Sequence, residues 1–515
     1  MQTFAAIDIG SNSCRLKIAR VQRHRLKVLH EDREVTRLGA SVFSSGLVSP
    51  EAMAATLRAL KRFYRAIKIH AADQVRVVAT AALREARNGQ AFVAWVHSET
   101  GWAVEIISGL EEARLIHSGV MARSGRRGRC LLIDLGGGSC EITLSERERI
   151  RETISLPVGA VRLTEEFLGG DPPTAEQIAR MKQLIARELR KAERRLGHLH
   201  VSQVIATSGT AAALAEASWN AWKAKLHGRK ARPAKADFLV ETRSARRLAE
   251  KLTRMTQGQR SGVPGIGPRR ADIIVAGAHV YAELLERLSL AGFVYSELGL
   301  RDGILAQMLA EHDSRTMAHQ QFERDRWQAV LATCKRYGVD MRQAEPVRQH
   351  AAQLFRDLAP VHELPEEYLG WLEAAAMLRD VGKFMNYQGH HRHTQYIVAN
   401  SEMFGFTPTQ RSVVSAIARY LGKSRPEPAD RAMRAVAPQE QAHVQRAVVL
   451  LRLAVALNQD RASDVLKVGL RVYPKRVLLE LRPGRNGAEL ELWSLRKEAA
   501  YFREVFRREL FATLA

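Results

Sequence analysis

Two short turns of similar sequence constrain the fold of this chain more than any other feature. Residues 8–13 read Asp-Ile-Gly-Ser-Asn-Ser and residues 134–139 read Asp-Leu-Gly-Gly-Gly-Ser, and a strand-like apolar run stands before and after each turn. Glycine lets the backbone N–H groups of a turn converge on one anion, and the hydroxyl groups add donors. An acidic residue ahead of the turn supplies oxygen to a divalent metal ion. We therefore expect two turns that hold a phosphate chain from both sides.

The order of predicted strands and helices restarts at the second turn. This restart indicates an internal duplication, with one α/β subdomain at 1–122 and another at 123–305. From 310 to 462 the apolar residues repeat at the 3.6-residue period of a helix. Residues 463–515 return to strand-like alternation, with a terminal helix predicted at about 495–514. The predicted fold class is α/β in two subdomains, followed by a helical domain and a small α+β region.

Charge and cysteine content narrow the class of protein. The 515 residues carry a formal net charge of +24, which attracts polyanions, although solubility alone is the alternative explanation. The cysteines form no CxxC pair, which argues against a zinc site and for a reducing compartment. No basic leader stands at the start, and no uncharged apolar run approaches the roughly 20 residues that span a bilayer. We expect a cytoplasmic protein with no membrane partner. The four cysteines are Cys14, Cys130, Cys140 and Cys334.

Acidic residues beside the two turns are candidate metal ligands. Asp134 opens the second turn, and Glu141 follows Ser139 by two positions, so the Ser139 and Glu141 side chains share one face of a strand. Mg²⁺ prefers a few carboxylates together with water and phosphate oxygens, and Mn²⁺ accepts the same ligands. Asp8 is a third candidate, and for Glu141 a surface acid is the alternative interpretation. Three consecutive glycines indicate that another group approaches the backbone closely, as a phosphate would.

Three further places carry residues suited to phosphate chemistry. Glu111 and Glu112 stand at a helix start, where one of them orients or deprotonates an attacking water, or both simply favour the helix N-terminus. Arg84 follows a strand and could fork onto a phosphate, or lie on the surface. Residues 206–210 form a strand–turn–helix junction that suits either an anion or an ordinary helix cap. The histidine-rich segment 389–393 is a metal-ligand candidate, but polar helix-end histidines in a basic cleft are the favoured interpretation.

Taken in order along the chain, these motifs resemble the exopolyphosphatase/guanosine pentaphosphate phosphohydrolase (Ppx/GppA) family of the sugar kinase–Hsp70–actin superfamily. The resemblance covers nearly the whole chain. It implies two ribonuclease H-like subdomains, an HD-related helical domain and a homodimer. Besides the two turns, it rests on residues 79–84, 106–116, 155–161, 206–210, 268–272 and 296–303.

The resemblance also implies roles for individual residues. By position, Glu112 matches the catalytic carboxylate, Asp134 and Glu141 match the metal-binding acids, and Arg15 matches a basic residue at the cleft mouth. The implied phosphate-binding positions are Ser11, Asn12, Ser13, Arg84, Gly136, Gly137, Gly138, Ser139, Thr207, Gly209 and Thr210. In the helical domain, the candidates for lining a substrate channel are Arg379, Lys383, His390, His391, Arg392 and His393.

The helical domain departs from the pattern of a working HD metal site. Arg379 stands where the histidine of the His-Asp pair belongs, ahead of Asp380. An arginine in place of a ligand repels a metal ion, even if His350, Asp380 and His391 lie close together. We therefore expect this domain to bind no metal and to extend a basic groove instead.

The resulting expectation is a Mg²⁺-dependent exopolyphosphatase that processively removes the terminal phosphate of inorganic polyphosphate. One alternative is hydrolysis of guanosine pentaphosphate to the tetraphosphate, because both substrates present a terminal anhydride. A second is a non-catalytic polyphosphate or nucleotide sensor, against which Glu112, Asp134 and Glu141 together argue. A third is an ATP-consuming sugar kinase or Hsp70-like ATPase built on the same turns. Nucleic acid is not expected as the true ligand.

Overall fold

The chain forms two compact units, Met1–Gln320 and Gln321–Ala515. The predicted boundary between the two α/β subdomains, at 122–123, lies outside the described residues. Among the residues that are described, no helix is both long and apolar enough to cross a membrane. The computed structural model describes residues 2–121, 128–197, 200–225, 238–313, 315, 317–422, 424–459, 465–483 and 487–514.

A five-stranded sheet forms the first half of the first unit. Its strand order is β3-β2-β1-β4-β5, with β1, β2 and β3 antiparallel and with β4 and β5 parallel to β1. Because β1 is buried along nearly its whole length, its sequence is a continuous apolar run up to Asp8. The strands are β1 (Thr3–Ile9), β2 (Ser13–Gln22), β3 (Arg25–Val35), β4 (Gln74–Ala79) and β5 (Val104–Ile106).

Five helices connect and cover this sheet. The second of them starts as the sequence predicts: the Ser49 hydroxyl accepts a hydrogen bond from the Ala52 N–H, and Pro50 occupies the first helical position. The helices are α1 (Val42–Ser45), α2 (Pro50–Ile69), α3 (Ala81–Glu85), α4 (Gly89–Thr100) and α5 (Gly109–Met121).

A six-stranded sheet repeats the same plan in the second half of the unit. Its order is β10-β11-β9-β6-β7-β8, so that β8-β7-β6-β9-β11 corresponds to β3-β2-β1-β4-β5, with β10 as an added edge strand. The shared order confirms the predicted pair of ribonuclease H-like subdomains. The strands are β6 (Arg129–Leu135), β7 (Cys140–Glu146), β8 (Arg149–Leu156), β9 (Gln203–Thr207), β10 (Leu239–Glu241) and β11 (Gly292–Tyr295).

The last helix of the second half packs on α5 and on β1 of the first. At this crossing a Cβ atom on Gly303 would lie 1.7 Å from the Leu115 carbonyl oxygen, so only glycine permits the approach. The contact fixes the position of α5. The helices of this half are α6 (Ala160–Phe167), α7 (Ala175–Leu196), α8 (Ser208–Lys225), α9 (Thr242–Thr253), α10 (Gln257–Ser261), α11 (Ile274–Arg287) and α12 (Leu300–His312).

The second unit is helical, as the 3.6-residue period predicts. Its apolar core is continuous and includes Tyr368, Leu372, Val449 and Phe502. One-turn 3-10 helices lie at Val381–Phe384 and Pro438–Glu440. The α-helices are α13 (Met317–Arg336), which begins just before the unit, α14 (Met341–Asp357), α15 (Ala359–His362), α16 (Tyr368–Leu378), α17 (His390–Asn400), α18 (Pro408–Arg419), α19 (Arg431–Arg434), α20 (Gln441–Ala456) and α21 (Glu489–Phe506).

The chain ends in a strand rather than in the predicted helix. Helix α21 stops at Phe506 because Arg507 adopts a left-handed conformation (φ 54°). Residues Glu509–Leu514 then form β14, parallel to β13 (Arg476–Arg482), which also pairs with β12 (Lys467–Val472). The prediction of a helix to residue 514 was therefore wrong for its last turns, because pairing with β13 outweighs local helical preference.

Candidate active site

Both predicted turns close β-hairpins in the same way. The Gly10 N–H donates to the Ser13 carbonyl at 3.2 Å, and the Gly136 N–H donates to the Ser139 carbonyl at 3.0 Å. The first turn joins β1 to β2, and the second joins β6 to β7. The two turns are therefore equivalent parts of the duplicated fold, as their sequences indicate.

The glycines of the second turn serve packing between the two subdomains as well as access to the backbone. A Cβ atom on Gly137 would lie 2.9 Å from the Ser11 Cβ, and one on Gly138 would lie 2.5 Å from the Ala81 Cβ. The sequence argument attributed the three glycines to an approaching phosphate alone. Close contact with Ser11 of the first turn and with Ala81 of α3 is a second reason for two of them, whereas a Cβ on Gly136 would meet only the Ser139 carbonyl oxygen, at 3.5 Å.

This difference gives a matched test of the packing. We expect Gly138→Ala to lower the free energy of unfolding by about 1–3 kcal/mol, because the added methyl group overpacks the contact with Ala81. Gly136→Ala should change it by less than about 0.5 kcal/mol. Denaturant unfolding of both variants measures the difference. Equal losses would show that the contact with Ala81 is not what requires glycine at position 138.

The turns line a cavity of about 550 Å³. Among the described residues, no acceptor pairs with the backbone N–H groups of Asn12, Gly137 or Gly138, and the buried Ser11 hydroxyl has no hydrogen-bond partner. The residues that carry these donors line a space large enough for several phosphate groups. Predicted site residues among the cavity-lining set are Asp8, Ser11, Asn12, Ser13, Arg15, Glu112, Asp134, Gly136, Gly137, Gly138, Ser139, Thr207 and Gly209.

Three acidic side chains converge beside the second turn. Glu112, Asp134 and Glu141 each offer a carboxylate oxygen, and these oxygens lie within 4.8 Å of one another. Asp134 and Glu141 are direct cross-strand partners, and Glu112 comes from the first turn of α5. Asp8, the further metal candidate, lies outside this group of three but lines the same cavity.

Burial raises the pKa of all three acids, and repulsion by neighbouring carboxylates adds to the shift for Asp134 and Glu112. Burial, followed by the Glu141 carboxylate, raises the pKa of Asp134 to about 8, and burial raises the pKa of Glu141 to about 7. Burial, then Glu141, raises the pKa of Glu112 well above its usual range, although Arg84 opposes the shift. A cation that binds between these three carboxylates would stabilise their charged forms.

The free oxygens of this group fit a divalent cation. The Ser155 hydroxyl donates to Glu141 Oε1 at 2.7 Å and so orients that carboxylate. The other oxygen of Glu141 is buried, as are Glu112 Oε2 and Asp8 Oδ1, and none of the three has a hydrogen-bond partner within the described part of the chain. Unpartnered carboxylate oxygens in a small cluster are the ligands that Mg²⁺ or Mn²⁺ requires.

The structure separates the two glutamates that the sequence left as alternatives. The Glu111 carboxylate binds the Arg114 guanidinium at 2.7 and 2.9 Å, which serves the packing of α5. The Glu112 carboxylate, only 6% exposed, faces the cavity. Arg84 lies behind it rather than in the lining: Nη1 donates to the Ile107 carbonyl at 2.7 Å and stands 3.7 Å from Glu112 Oε2.

The remaining predicted phosphate-binding residues differ in whether they reach the cavity wall. The Thr207 hydroxyl donates to the Leu298 carbonyl at 2.6 Å, and the Arg270 guanidinium lies directly over Gly209, so both positions belong to the cavity wall. Thr210 is buried behind the wall, where its side chain packs against Gly277.

The cavity lining also includes several arginines that the sequence analysis did not assign to the site. Arg33, Arg269, Arg270 and Arg301 join Arg15 there. Burial and neighbouring guanidinium groups lower the pKa of Arg270 to about 9 and that of Arg33 to about 10. Arg269, Arg270 and Arg301 stand inside motifs that carry the family resemblance, so these motifs could have identified them as site residues from the sequence.

Three of the predicted channel residues in the second unit, Arg379, Lys383 and His390, lie around the Asp380 carboxylate. This carboxylate accepts from Lys383 Nζ at 2.9 Å and lies 3.5 Å from Arg379 Nη2. Arg379 is buried and donates to the Ala376 and Gln343 carbonyls, so it does not present a free cation. His390 lies 3.6 Å from the same carboxylate. The neighbouring candidates are His391, which is half-buried, Arg392, which is exposed, and His393, which is half-buried.

Comparisons with known proteins agree with the resemblance. Residues 17–312 match the Ppx/GppA phosphatase family, and residues 326–499 match Ppx/GppA phosphatase, domain III. An exopolyphosphatase from Cytophaga hutchinsonii is 28% identical over 60% of this chain and 98% of its own, with a TM-score of 0.55. An exopolyphosphatase-like protein is 30% identical over 59% of this chain and 96% of its own (TM-score 0.54). The Aquifex aeolicus Ppx/GppA family member is 29% identical over 61% and 99% (TM-score 0.50).

Proposed function

Because this chain belongs to the Ppx/GppA phosphatase family, and is therefore a phosphatase, we propose that it hydrolyses the terminal phosphoanhydride of inorganic polyphosphate. The observation that carries the proposal is one cavity whose lining holds five arginines and two carboxylates, Glu112 and Asp134, on which the buried Glu141 carboxylate converges. The acids suit the chemistry at one phosphoryl group, and the arginines suit a substrate whose negative charge continues beyond it.

Asp134 and Glu141 are the proposed metal ligands, since their carboxylates share a face of neighbouring strands and one Glu141 oxygen has no hydrogen-bond partner among the residues described. When bound, Mg²⁺ would neutralise negative charge on the phosphoryl oxygens. Asp8 stands close enough to raise the pKa of Asp134 and is proposed to complete the site through water.

Glu112 is the proposed catalytic residue. Its carboxylate is held at the start of α5 and faces the cavity, where it can orient a water molecule for in-line attack. Phosphoryl transfer depends mainly on positioning and electrostatic stabilisation. The unpaired N–H groups of Asn12, Gly137 and Gly138 supply donors for the phosphoryl oxygens at the same place.

The test is phosphate release from long polyphosphate and from guanosine pentaphosphate, side by side with Mg²⁺. We expect a higher kcat/KM for polyphosphate, and we expect this preference to shrink between about 0.05 M and about 0.5 M salt, because salt screens the exposed part of the arginine cluster. A higher kcat/KM for guanosine pentaphosphate at both salt concentrations would favour the nucleotide alternative. Binding of polyphosphate without phosphate release would favour a sensor.

A further inference from the structure

The duplicated hairpins place two equivalent rows of side chains across their strands. In the second subdomain, Asp134, Glu141 and Ser155 are successive cross-strand partners on β6, β7 and β8. In the first subdomain, the same positions on β1, β2 and β3 hold Asp8, Arg15 and Arg33. One row is acidic and the other is mainly basic, and members of both line the same cavity.

The two rows differ in the hydrogen bonding of their third members, Ser155 and Arg33. Ser155 donates a hydrogen bond to Glu141 at 2.7 Å, so the acidic row is internally paired. Arg33 stands opposite Arg15, and like charges directly opposite each other in a sheet are destabilising. The Nε and Nη2 atoms of Arg33 are buried and have no hydrogen-bond acceptor among the described residues. Buried guanidinium nitrogens without an acceptor carry a free-energy cost that a bound anion would remove.

Among the described residues, no carboxylate lies within ion-pair distance of the Arg33 guanidinium. Glu31 accepts from Lys17 at 2.8 Å and lies 3.9 Å from Arg301, and Asp272 lies 2.8 Å from Arg37, so these nearby carboxylates have other cationic partners. Burial and then the neighbouring cations, Arg269 and Arg301 among them, lower the pKa of Arg33. Burial and then Arg33 lower the pKa of Arg270, and burial and then Arg15 lower that of Arg301. Arg33 is therefore a lining cation that has no carboxylate partner of its own among the described residues.

We propose that Arg33 is a specificity-determining residue that binds, together with Arg15, a phosphate group of the substrate beyond the one that reacts. This rests on the proposed function. Arg33 lies two strands from Asp8, a Cα separation of about 10 Å at the usual strand spacing, so it addresses a different charge from the acidic group. The subsite selects a linear chain of phosphates over a substrate that has no further phosphate to offer.

The test compares Arg33→Met with Arg25→Met, which removes the same charge from the exposed far end of the same strand. With long polyphosphate, we expect Arg33→Met to raise KM about 10-fold to 100-fold and to change kcat by less than about threefold, since a charge-assisted hydrogen bond made throughout the reaction is lost. Arg25→Met should change KM by less than about threefold. An unchanged KM in Arg33→Met, or an equal rise in Arg25→Met, would overturn the proposal.

Thermal unfolding without Mg²⁺ provides a readout that does not depend on activity. Arg33→Met should have a higher Tm than the wild type in the absence of ligand, since it relieves repulsion, and should gain less from long polyphosphate. Arg33→Lys, which keeps the charge but not the fork, should gain an intermediate amount. If polyphosphate stabilises the wild type more than Arg33→Met but no phosphate is released, the subsite stands and the proposed function fails. If polyphosphate is hydrolysed and both proteins gain equally, the subsite fails and the function stands.

Discussion

Replacing Glu112 by glutamine is expected to lower kcat for phosphate release by about 10²–10⁴-fold. The amide has nearly the same shape but carries no negative charge and cannot accept a proton from the attacking water. Glu112 is the one acid of the convergent group that comes from a helix rather than from the β6–β7 hairpin, so its loss leaves the two proposed metal ligands in place. Initial rates of phosphate release at saturating polyphosphate and Mg²⁺ measure the effect.

Glu111→Gln is the matched control, because it removes the neighbouring carboxylate in the same helical turn. Glu111 binds Arg114, so its loss should lower stability while changing kcat by less than about fivefold. The Glu112→Gln protein should be at least as stable as the wild type without metal, since a repelling buried acid is removed. If folded Glu112→Gln protein keeps a kcat within tenfold of the wild type, Glu112 is not the catalytic carboxylate.

Replacing Asp134 by asparagine is expected to raise the Mg²⁺ concentration needed for half-maximal activity by at least about 100-fold, because a carboxylate ligand is lost. Asp32→Asn is the control: Asp32 also lines the cavity, but its carboxylate binds Arg62 at 2.8 and 3.0 Å. It should leave the Mg²⁺ requirement within about threefold. An unchanged Mg²⁺ requirement in Asp134→Asn would contradict the metal assignment.

The same variant tests the pH dependence of stability. Burial raises the pKa of Asp134 to about 8, so the folded, metal-free protein binds more protons than the unfolded chain above the unfolded carboxyl pKa of about 4. The resulting stabilisation is complete below about pH 4 and is lost as the pH rises through about 8. We expect the Tm of the metal-free wild type to fall more steeply than that of Asp134→Asn between about pH 5 and about pH 8. Equal slopes would contradict this assignment.

The parts of the site that local sequence encodes were predictable. Asp134 and Glu141 stand one position outside the residues that flank a four-residue turn, so a hairpin makes them neighbours whatever the rest of the fold does. The second sheet repeats the strand order of the first because the apolar runs around the two turns repeat. Glu112 could be placed at a helix start, but its choice over Glu111 depended on the family resemblance until the structure showed which carboxylate faces the cavity.

The other features of the site and fold depend on contacts between segments that are distant in the sequence. Arg33 stands 18 positions beyond Arg15 in the sequence, and only the pairing of β2 with β3 makes the two direct neighbours. Arg270 and Arg301 reach the same cavity from more than 200 residues away. Arg84 was predicted to contact phosphate, but its hydrogen bond to the Ile107 carbonyl depends on how α3 meets the strand end of β5, which no local pattern specifies. The final strand was missed because its partner, β13, lies upstream of an intervening helix.

Hydrolysis of polyphosphate in ¹⁸O-labelled water tests the central claim most directly. Attack by water on the terminal phosphoryl group places the label in the released orthophosphate and leaves the shortened chain unlabelled. The account predicts one labelled oxygen in each newly released orthophosphate, with this release lost in Glu112→Gln. Label at the end of the remaining chain, or loss of polyphosphate without labelled orthophosphate, would contradict it.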